Sequence, residues 1–459
     1  MAEHNVTVES TLEALLADKK YPTIRDILIT MNPSDIASIF DELEEDSLPL
    51  LFRLLPKEQA AETFVEMEPE AQELLIRGFS DSELKEVIDE LYVDDAVDIV
   101  EEMPANVVRR ILSQADPEMR KNINEILRYP ENSAGSIMTT EYVSLRPAMT
   151  VEESILRIRR TGVDKETIYT CYVTKDRTLI GLVTVKDLLL AQDDDMKIEE
   201  IMETNIISVN TQADQEEVAQ MFSKYNFLAL PVVDAENRMV GIITFDDAMD
   251  VMEDEVTEDM EIMGGMTPSD KTYLRSTVFD LFRHRIPWLM LLMVSATFTG
   301  LIITGFENKL TTLHLAAFIP MLMDTGGNSG SQSSVTIIRA LSLGEVDFSD
   351  MLKIIWKEIR TAVLCGLALS VVCFAKIMLV DHLLLGNDSV TTLVALVVCI
   401  TMALTVLVAK LIGCSLPMLA KKIGFDPAVM ASPFITTIVD ALSLLVYFGI
   451  ASAMLSAPV

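Results

Sequence analysis

A single carboxylate, Asp440, lies in the stretch SPFITTIVDALSLLVYF, residues 432–448, which is otherwise uncharged and apolar enough to lie in lipid. Intramembrane carboxylates are costly and usually line a polar pathway. Ser432 and Thr436 precede Asp440 by eight and four residues, so the three side chains share one face of a helix. This polar stripe can face a pore.

The depth and the partner of Asp440 decide its role. Asp440 follows Asp426 by fourteen residues, about 21 Å along a helix, so we expect it near the middle of a membrane. The alternative to a pore residue is a carboxylate that is protonated, or one that is paired with a buried lysine such as Lys376 or Lys410.

A second polar stretch, PMLMDTGGNSGSQSS, interrupts another apolar segment. Non-helical backbone is tolerated at membrane depth where it lines a cavity, whereas small residues also permit close helix packing. Both interpretations stay open, although Asp324, Asn328 and Gln332 favour a pore or its mouth. The residues that weaken a helix here are Pro320, Gly326, Gly327 and Gly330.

A third stretch, FDDAMDVMEDEVTEDMEIMGG, carries nine acidic residues between Asp246 and Glu261 and no basic residue. Such a run is ordinarily the solvated face of a helix. Like charges three or four residues apart repel, which disfavours a close-packed assembly unless something neutralises them. Divalent cations can do so, since Mg²⁺ takes oxygen ligands and can be shared between facing carboxylates.

Five mostly apolar segments of about 20 residues or more are long enough to span a membrane and to contact its lipid. They run approximately over residues 286–306, 313–341, 359–380, 393–416 and 429–455. The start, MAEHNVTVES, has no signal-peptide pattern. The positive-inside rule predicts a multi-pass protein of the cytoplasmic membrane with a cytosolic amino terminus. The basic residues that decide this are Arg283, Arg285, Arg339, Lys353, Lys357, Arg360, Lys421 and Lys422.

The negative charge of the chain is confined to the part before the spans. Of 70 acidic and 36 basic residues, 60 and 25 lie in the first 280 positions. We expect a soluble part with this much negative charge to attract cations and not to bind nucleic acid or anionic lipid. The cysteines and histidines have no disulfide, zinc or metal-cluster spacing, and we expect a protein that is not an enzyme.

The soluble part shows two kinds of internal order. From Tyr21 to Leu127, amphipathic helical patterns restart about every 12 or 13 residues, which predicts a small helical superhelix. A duplication follows, because IMTTEYVSLRPAMTVEESI at 137 matches IMETNIISVNTQADQEEVA at 201, and IGLVTVKDL at 180 matches VGIITFDDA at 240. The shift falls from 64 to 60 residues, so about four residues are inserted in the first copy. Each copy predicts strand, helix, strand, strand and helix, an α+β unit with a cleft between copies.

The duplicated unit resembles a tandem pair of cystathionine β-synthase (CBS) domains. The whole chain resembles bacterial magnesium transporters of the MgtE family, most specifically in IPMLMDTGGNSGSQSS and SPFITTIVDALSLL. The resemblance implies a homodimer and a multidomain fold. Its parts are an all-α superhelical N-domain (1–130), an α+β tandem CBS pair (131–250), an acidic linking or plug helix (251–280) and an α-helical membrane domain with five spans (281–459).

The resemblance also implies roles for individual residues. Asp440 becomes the pore cation site, shared between two subunits, where two aspartates suit hydrated Mg²⁺. Asn328, Ser432 and Thr436 line the pore, although some members carry Asn at 432 and Ala at 436, which leaves those two as supporting contacts. Asn226 replaces a carboxylate at one inter-subunit position. The implied regulatory Mg²⁺ positions are Glu62, Asp94, Asp98, Gly135, Asp214, Glu216, Asp247, Asp250, Glu255, Glu258 and Asp259.

CBS pairs commonly bind adenine nucleotides, which makes ATP a candidate cofactor in addition to Mg²⁺. The alternative is that the residues concerned are ordinary strand and turn residues. They are Tyr169, Lys186, Asp187 and Phe227.

Together these features predict a Mg²⁺-selective, channel-type transporter that imports Mg²⁺. Cytosolic Mg²⁺ would bind the acidic clusters, compact the body and press the linking helix on the pore. One alternative is a proton- or Na⁺-coupled divalent cation exchanger that uses Asp440 in alternating access. Another is a membrane-anchored nucleotide sensor without transport.

Overall fold

A computed structural model describes residues 2–43, 46–269, 273, 276–306, 315–384 and 391–454. The chain divides into two compact units, residues 1–252 and 253–459. The first unit contains the described strands, and the second contains long apolar helices.

Ten helices precede the first strand in the described part of the chain. From α5 onward each helix begins twelve residues after the previous one, which confirms the predicted restart. Most of these helices pack on the next but one, as α3 does on α5, α5 on α7 and α7 on α9. The helices are α1 (Ala2–Ala17), α2 (Tyr21–Leu28), α3 (Pro33–Glu42), α4 (Leu48–Phe52), α5 (Lys57–Val65), α6 (Pro69–Gly78), α7 (Asp81–Ile88), α8 (Val93–Glu102), α9 (Ala105–Gln114) and α10 (Pro117–Ile126).

The duplicated region forms two three-stranded sheets of the same topology. In each sheet the first strand pairs in parallel with the second, and the second pairs antiparallel with the third. The first copy contains β1 (Tyr142–Leu145), α11 (Val151–Thr161), β2 (Thr167–Lys175), β3 (Thr178–Thr184), α12 (Val185–Leu189) and α13 (Ile198–Ile201). The second contains β4 (Val209–Asn210), α14 (Gln215–Tyr225), β5 (Ala229–Val233), β6 (Met239–Thr244) and α15 (Phe245–Met263).

The two copies differ where the helix leads into the second strand. In the first copy a 3-10 turn, Gly162–Asp164, separates α11 from β2. In the second copy Asn226 ends α14 in the left-handed conformation, with a φ of 55°. Asn adopts this conformation more readily than most residues. The 3-10 turn accounts for the residues inserted in the first copy. The left-handed backbone at the end of α14 explains why Asn suits position 226.

In the described part of the second unit, five long helices follow α15. They are α16 (Val278–Gly305), α17 (Ile319–Ser342), α18 (Met351–Lys376), which continues as a π-helix (Ile377–Leu384), α19 (Thr392–Lys422) and α20 (Ser432–Met454). Among the described residues, four segments are long and apolar enough to cross a membrane, namely Val278–Gly305, Phe348–Leu384, Thr392–Lys422 and Pro427–Met454. The predicted second span falls on α17, which is not among the four, and it stays a prediction.

Of the two interpretations left open for this stretch, non-helical backbone within α17 is wrong. The helix is continuous through its glycines, and Pro320 lies in the first turn, where a missing N–H is tolerated. Close packing is the reason for the small residues. A Cβ on Gly413 of α19 would lie 2.2 Å from the carbonyl oxygen of Gly330, so these two backbones touch.

Candidate functional site

Asp440 lies closer to the start of its helix than the sequence predicted. The segment after Asp426 forms a 3-10 turn, Pro427–Met430, and then an extended residue, so α20 begins only at Ser432. Asp440 is therefore about 12 Å along α20. The expected 21 Å of uninterrupted helix is wrong, because Asp426 caps the 3-10 turn and not α20.

The two lysines considered as partners of Asp440 are engaged elsewhere. Lys376 contacts Asp381, with Nζ 2.8 Å from Oδ2. Lys410 lies 3.1 Å from Ser333 Oγ and 3.6 Å from Glu358 Oε2. No salt bridge of Asp440 is present within the described ranges.

The polar residues of α17 form an exposed stripe beside Asp440. Asp324, Asn328 and Gln332 follow one another at intervals of four residues, and all three are exposed in the single chain. Asp324 is close enough to Asp440 for the two carboxylates to repel each other. A polar stripe facing lipid would be costly, so this face requires a polar environment.

The first turns of α20 present oxygen atoms near this stripe. The hydroxyls of Thr436 and Thr437 both donate to the carbonyl of Pro433, at 3.0 Å. Their oxygens therefore keep lone pairs that can accept hydrogen bonds from water. A Cβ on Gly327 would lie 3.0 Å from Thr436 Cγ2, so α17 and α20 meet here. The side chain of Ser432 lies outside the described residues.

The end of α15 contacts the same helices. Ile262 and Met263 pack against Ile338 of α17 and the segment before α20. Gly265, with a φ of +72°, follows, and a Cβ there would lie 3.0 Å from Pro433 Cγ. The carboxyl-terminal end of the acidic helix therefore touches the start of the helix that carries Asp440.

A second candidate site lies in the first unit, where acidic residues of α8 and α15 converge. Burial raises the pKa of Asp94 well above its usual value, and repulsion by Asp247 adds to the shift. The same causes raise the pKa of Asp95 to about 7 and that of Asp98, at the exposed rim, to about 8. Burial also raises the pKa of Asp247 to about 6, against hydrogen bonds from Thr244.

Three members of this cluster, Asp95, Glu141 and Glu166, were missed by sequence reasoning. Glu141 precedes β1 and Glu166 precedes β2, and their carboxylate oxygens lie within 4.8 Å of each other and of an oxygen of Asp94. Burial, with repulsion by Asp95, raises the pKa of Glu166 to about 8. Glu141 and Glu166 directly precede strands that pair in parallel, and this is the sequence signal that could have indicated their proximity.

The other predicted metal positions are more dispersed. Glu62 is exposed on α5, and Asp214 caps α14 by accepting a hydrogen bond from Glu216 N at 2.9 Å. Gly135 has no room for a side chain, since a Cβ would lie 2.5 Å from the ring of Tyr129. The remaining four lie along α15: Asp250, Glu255, Glu258 and Asp259.

The predicted nucleotide residues have ordinary local roles. Asp187 caps α12 through Thr184, with the same geometry that Asp247 and Thr244 show in the second copy. Phe227 stacks on Tyr225 at 5.3 Å between ring centroids. Tyr169 and Lys186 are exposed.

Comparisons with known proteins cover almost the whole chain. Family models match the MgtE intracellular N domain over residues 31–132, CBS domains over 134–194 and 198–254, and the divalent cation transporter model MgtE over 319–450. The chain is 36% identical to the magnesium transporter MgtE of Thermus thermophilus, over 97% of this chain and 98% of the relative. It is 32% identical to the magnesium transporter MgtE of Bacillus subtilis, over 96% of each.

Two solved structures resemble the soluble part. The cytosolic domain of the Mg²⁺ channel MgtE in complex with ATP is 37% identical, with a TM-score of 0.51, and the match covers 53% of this chain and 99% of that one. The soluble part of a magnesium transporter is 30% identical, with a TM-score of 0.50, and the match covers 56% and 99% of the two chains.

Proposed function

Since the chain belongs to the MgtE family of magnesium transporters and is not an enzyme, we propose that it is a Mg²⁺-selective channel that imports Mg²⁺ through the cytoplasmic membrane. Its amino terminus is cytosolic. The observation that carries this proposal is Asp440, an acid in an apolar helix. It has no lysine partner among the described residues, and it lies beside an exposed polar stripe.

The pore recognises a hydrated ion. Water bound to Mg²⁺ donates hydrogen bonds, and the ion keeps several waters because it dehydrates reluctantly. Asp440, Thr436 and Asn328 supply acceptor oxygens, and the stripe of α17 is polar enough to border them. A homodimer places two such faces around one axis, so the polar stripes face each other and not lipid.

The gate is set by cytosolic Mg²⁺. Ions that bind the acidic residues of α8 and α15 favour a closed arrangement and shift the population toward it. The contact between the end of α15 and Pro433 supports this coupling, because movement of α15 reaches the helix that carries Asp440. The positions that hold these ions include Glu62, Asp94, Asp98, Gly135, Asp214, Glu216 and the acids of α15.

ATP is a further proposed ligand of the CBS pair. The support is the solved relative that contains ATP. The proposed contacts are Tyr169, Lys186, Asp187 and Phe227.

Mg²⁺ flux into liposomes tests the pore. Asp440→Ala should abolish flux while expression and dimerisation stay intact, and Asp440→Glu should keep part of it with altered ion selectivity. Glu345→Ala, which removes an exposed acid of the same unit, should conduct like wild type. If Asp440→Ala conducts Mg²⁺ like wild type, the assignment of Asp440 to the pore is wrong.

The same assay separates a channel from an exchanger. The flux of wild type is measured down a Mg²⁺ gradient with no pH or Na⁺ gradient. A channel conducts under these conditions, whereas a coupled exchanger needs its counter-ion. Flux that depends on added Na⁺ or on a pH gradient would favour the exchanger.

A further inference from the structure

A polar cavity lies between the end of α15 and the start of α16, within the second unit. It measures about 160 Å³, and its lining includes the carboxylate of Glu261, the imidazole of His284 and the guanidinium of Arg285. Met266 and Leu281 add apolar surface to the same lining. The cavity therefore combines an acid, two basic groups and an apolar wall, which suits a small amphipathic group.

Two hydrogen bonds hold the histidine of this cavity in place. The backbone N–H of Thr267 donates to the carbonyl of His284 at 3.0 Å, and Nδ1 of His284 lies 3.0 Å from the carbonyl oxygen of Thr267. Because a carbonyl oxygen only accepts, Nδ1 carries the hydrogen. The ring orientation is therefore fixed. Nε2 has no hydrogen bond within the described ranges and is left for a ligand.

The two charged residues of the lining do not neutralise each other. Arg285 forms no salt bridge and no side-chain hydrogen bond in the part of the chain that the structure describes. Glu261 accepts a hydrogen bond at Oε2 from the backbone N–H of Ser269, at 2.9 Å, and it has no salt bridge among the described residues. A ligand with one anionic and one cationic group would satisfy both residues.

The cavity lies where lipid headgroups would meet the first expected span. Arg285 is in the second turn of α16, and the apolar segment predicted to cross the membrane begins at residue 286. Arginines at the end of a span extend toward the headgroups. No residue of Val278–Gly305 is buried in the single chain, so acyl chains have apolar helix surface to contact. A phospholipid beside α16 would therefore have its headgroup near the cavity.

We propose that this cavity binds the headgroup of a phospholipid that carries a phosphate and a primary ammonium, as phosphatidylethanolamine does. Arg285 and His284 bind the phosphate, for which the planar guanidinium is well suited. Glu261 accepts hydrogen bonds from the ammonium. The proposal rests on the proposed function only for the location in a membrane, and not on Mg²⁺ transport.

The carboxylate of Glu261 sets the preference among possible ligands. It repels an anionic headgroup that has no ammonium, and a quaternary choline cannot donate a hydrogen bond to it. Inorganic phosphate shares the phosphate chemistry but has neither an ammonium nor acyl chains. Only a headgroup with both charges and N–H donors matches all three polar side chains.

Native mass spectrometry of the purified full-length protein in detergent micelles tests the site. Phosphatidylethanolamine, phosphatidylglycerol, phosphatidylcholine and inorganic phosphate are added separately, and the fraction of protein with bound ligand is measured. Wild type should bind phosphatidylethanolamine about tenfold more tightly than the other two lipids, because only its ammonium forms a charge-assisted hydrogen bond with Glu261. Equal or tighter binding of any of the other three ligands would overturn the proposal.

A neighbouring arginine provides the matched control. Arg285→Gln should weaken the binding of phosphatidylethanolamine about tenfold, because the phosphate loses its guanidinium partner. Arg283→Gln removes the same charge from an exposed residue of the same helical turn that does not line the cavity, and it should bind like wild type. Equal losses in the two variants would indicate general attraction to a basic surface and would overturn the site.

Glu261→Gln separates recognition of the ammonium from a structural role. The glutamine oxygen can still accept the hydrogen bond from Ser269 N, so the shape of the cavity is preserved. The binding of phosphatidylethanolamine should fall to the level of phosphatidylcholine, while the binding of phosphatidylcholine stays unchanged. If the variant loses both lipids alike, Glu261 supports only the shape of the cavity, and the assignment of the headgroup is wrong.

The lipid measurement is independent of the pore. It counts bound lipid in micelles and requires no Mg²⁺ flux. Failure of wild type to conduct Mg²⁺ would refute the proposed function, while the lipid preference and its loss in Arg285→Gln would still decide the cavity.

Discussion

The two units neutralise their buried charges in opposite ways. In the second unit Lys410, which is 7% exposed, meets Glu358, and Ser333 donates to Glu358 at 2.7 Å while it accepts from Lys410. In the first unit Asp94 and Glu166 have no salt bridge within the described ranges. The second unit pairs a largely buried carboxylate with its own lysine, whereas the first unit places several carboxylates close together.

The paired charges of the second unit and the clustered acids of the first unit suit different roles, namely helix packing and the proposed regulation. The pair of Lys410 and Glu358 needs no ion from solution and, together with Ser333, links three helices. Under the proposed regulation, a cation from solution stabilises the cluster of acids, so the state of the cluster would follow the ion concentration. Asp440 likewise has no salt bridge within the described ranges, which fits the site for a passing ion that we propose.

The largest expected effect comes from removing the anions of α15. When five acids of α15 are replaced by their amides, both the repulsion and the ligands are lost. Transport should then persist at cytosolic Mg²⁺ levels that close the wild-type protein. The amide at 247 can still accept from Thr244, so the start of the helix is preserved. Flux against cytosolic Mg²⁺ measures this. The substitutions are Asp247→Asn, Asp250→Asn, Glu255→Gln, Glu258→Gln and Asp259→Asn.

A matched control removes the same number of exposed acids from the segment around α13, at the end of the first CBS copy. We expect this control to close normally in high cytosolic Mg²⁺. If the α15 variant also closes normally, the acidic run of α15 is only a solvated helix face. The control replaces Asp193, Asp194, Asp195, Glu199 and Glu200 by their amides.

The next effect tests the internally paired charges. Lys410→Met leaves Glu358 buried without its cation and should lower the free energy of unfolding by about 3–5 kcal/mol. Adding Glu358→Gln should recover much of this loss. Unfolding by sodium dodecyl sulfate in mixed micelles measures it, with Trp356 of α18 as a nearby fluorescent reporter.

Lys376→Met is the comparison for this pair. Lys376 also has an acidic partner, but its side chain is 45% exposed, so we expect a loss below about 1 kcal/mol. Equal losses for the two lysines would contradict the special role of the buried pair.

The smallest effect concerns the close contact of α17 and α19. Gly413→Ala places a methyl group against the carbonyl of Gly330 and should destabilise the protein by about 1–3 kcal/mol, with reduced flux. Gly300→Ala adds the same methyl group to a helix where nothing lies within 4 Å, and it should be neutral or slightly stabilising. The same unfolding assay compares them, and equal behaviour would refute backbone contact at Gly330.

Periodic features were predictable from the sequence. The twelve-residue helical restart and the duplicated α+β unit follow from local patterns of apolar residues and turns, and the structure confirms both. The apolar runs indicated the long helices, since their length and composition alone meet the requirement for crossing a membrane. Asp440 was visible as a charge in such a run.

Only the tertiary structure decided which distant side chains meet. Lys410 and Glu358 are 52 residues apart, and Glu166 lies 72 residues after Asp94, so no local pattern encodes either contact. The glycines of α17 were ambiguous because a glycine permits both a break and a close approach, and only the position of Gly413 shows the latter. Local sequence sets backbone preference over a few residues, whereas charge pairing depends on which helices and strands pack together.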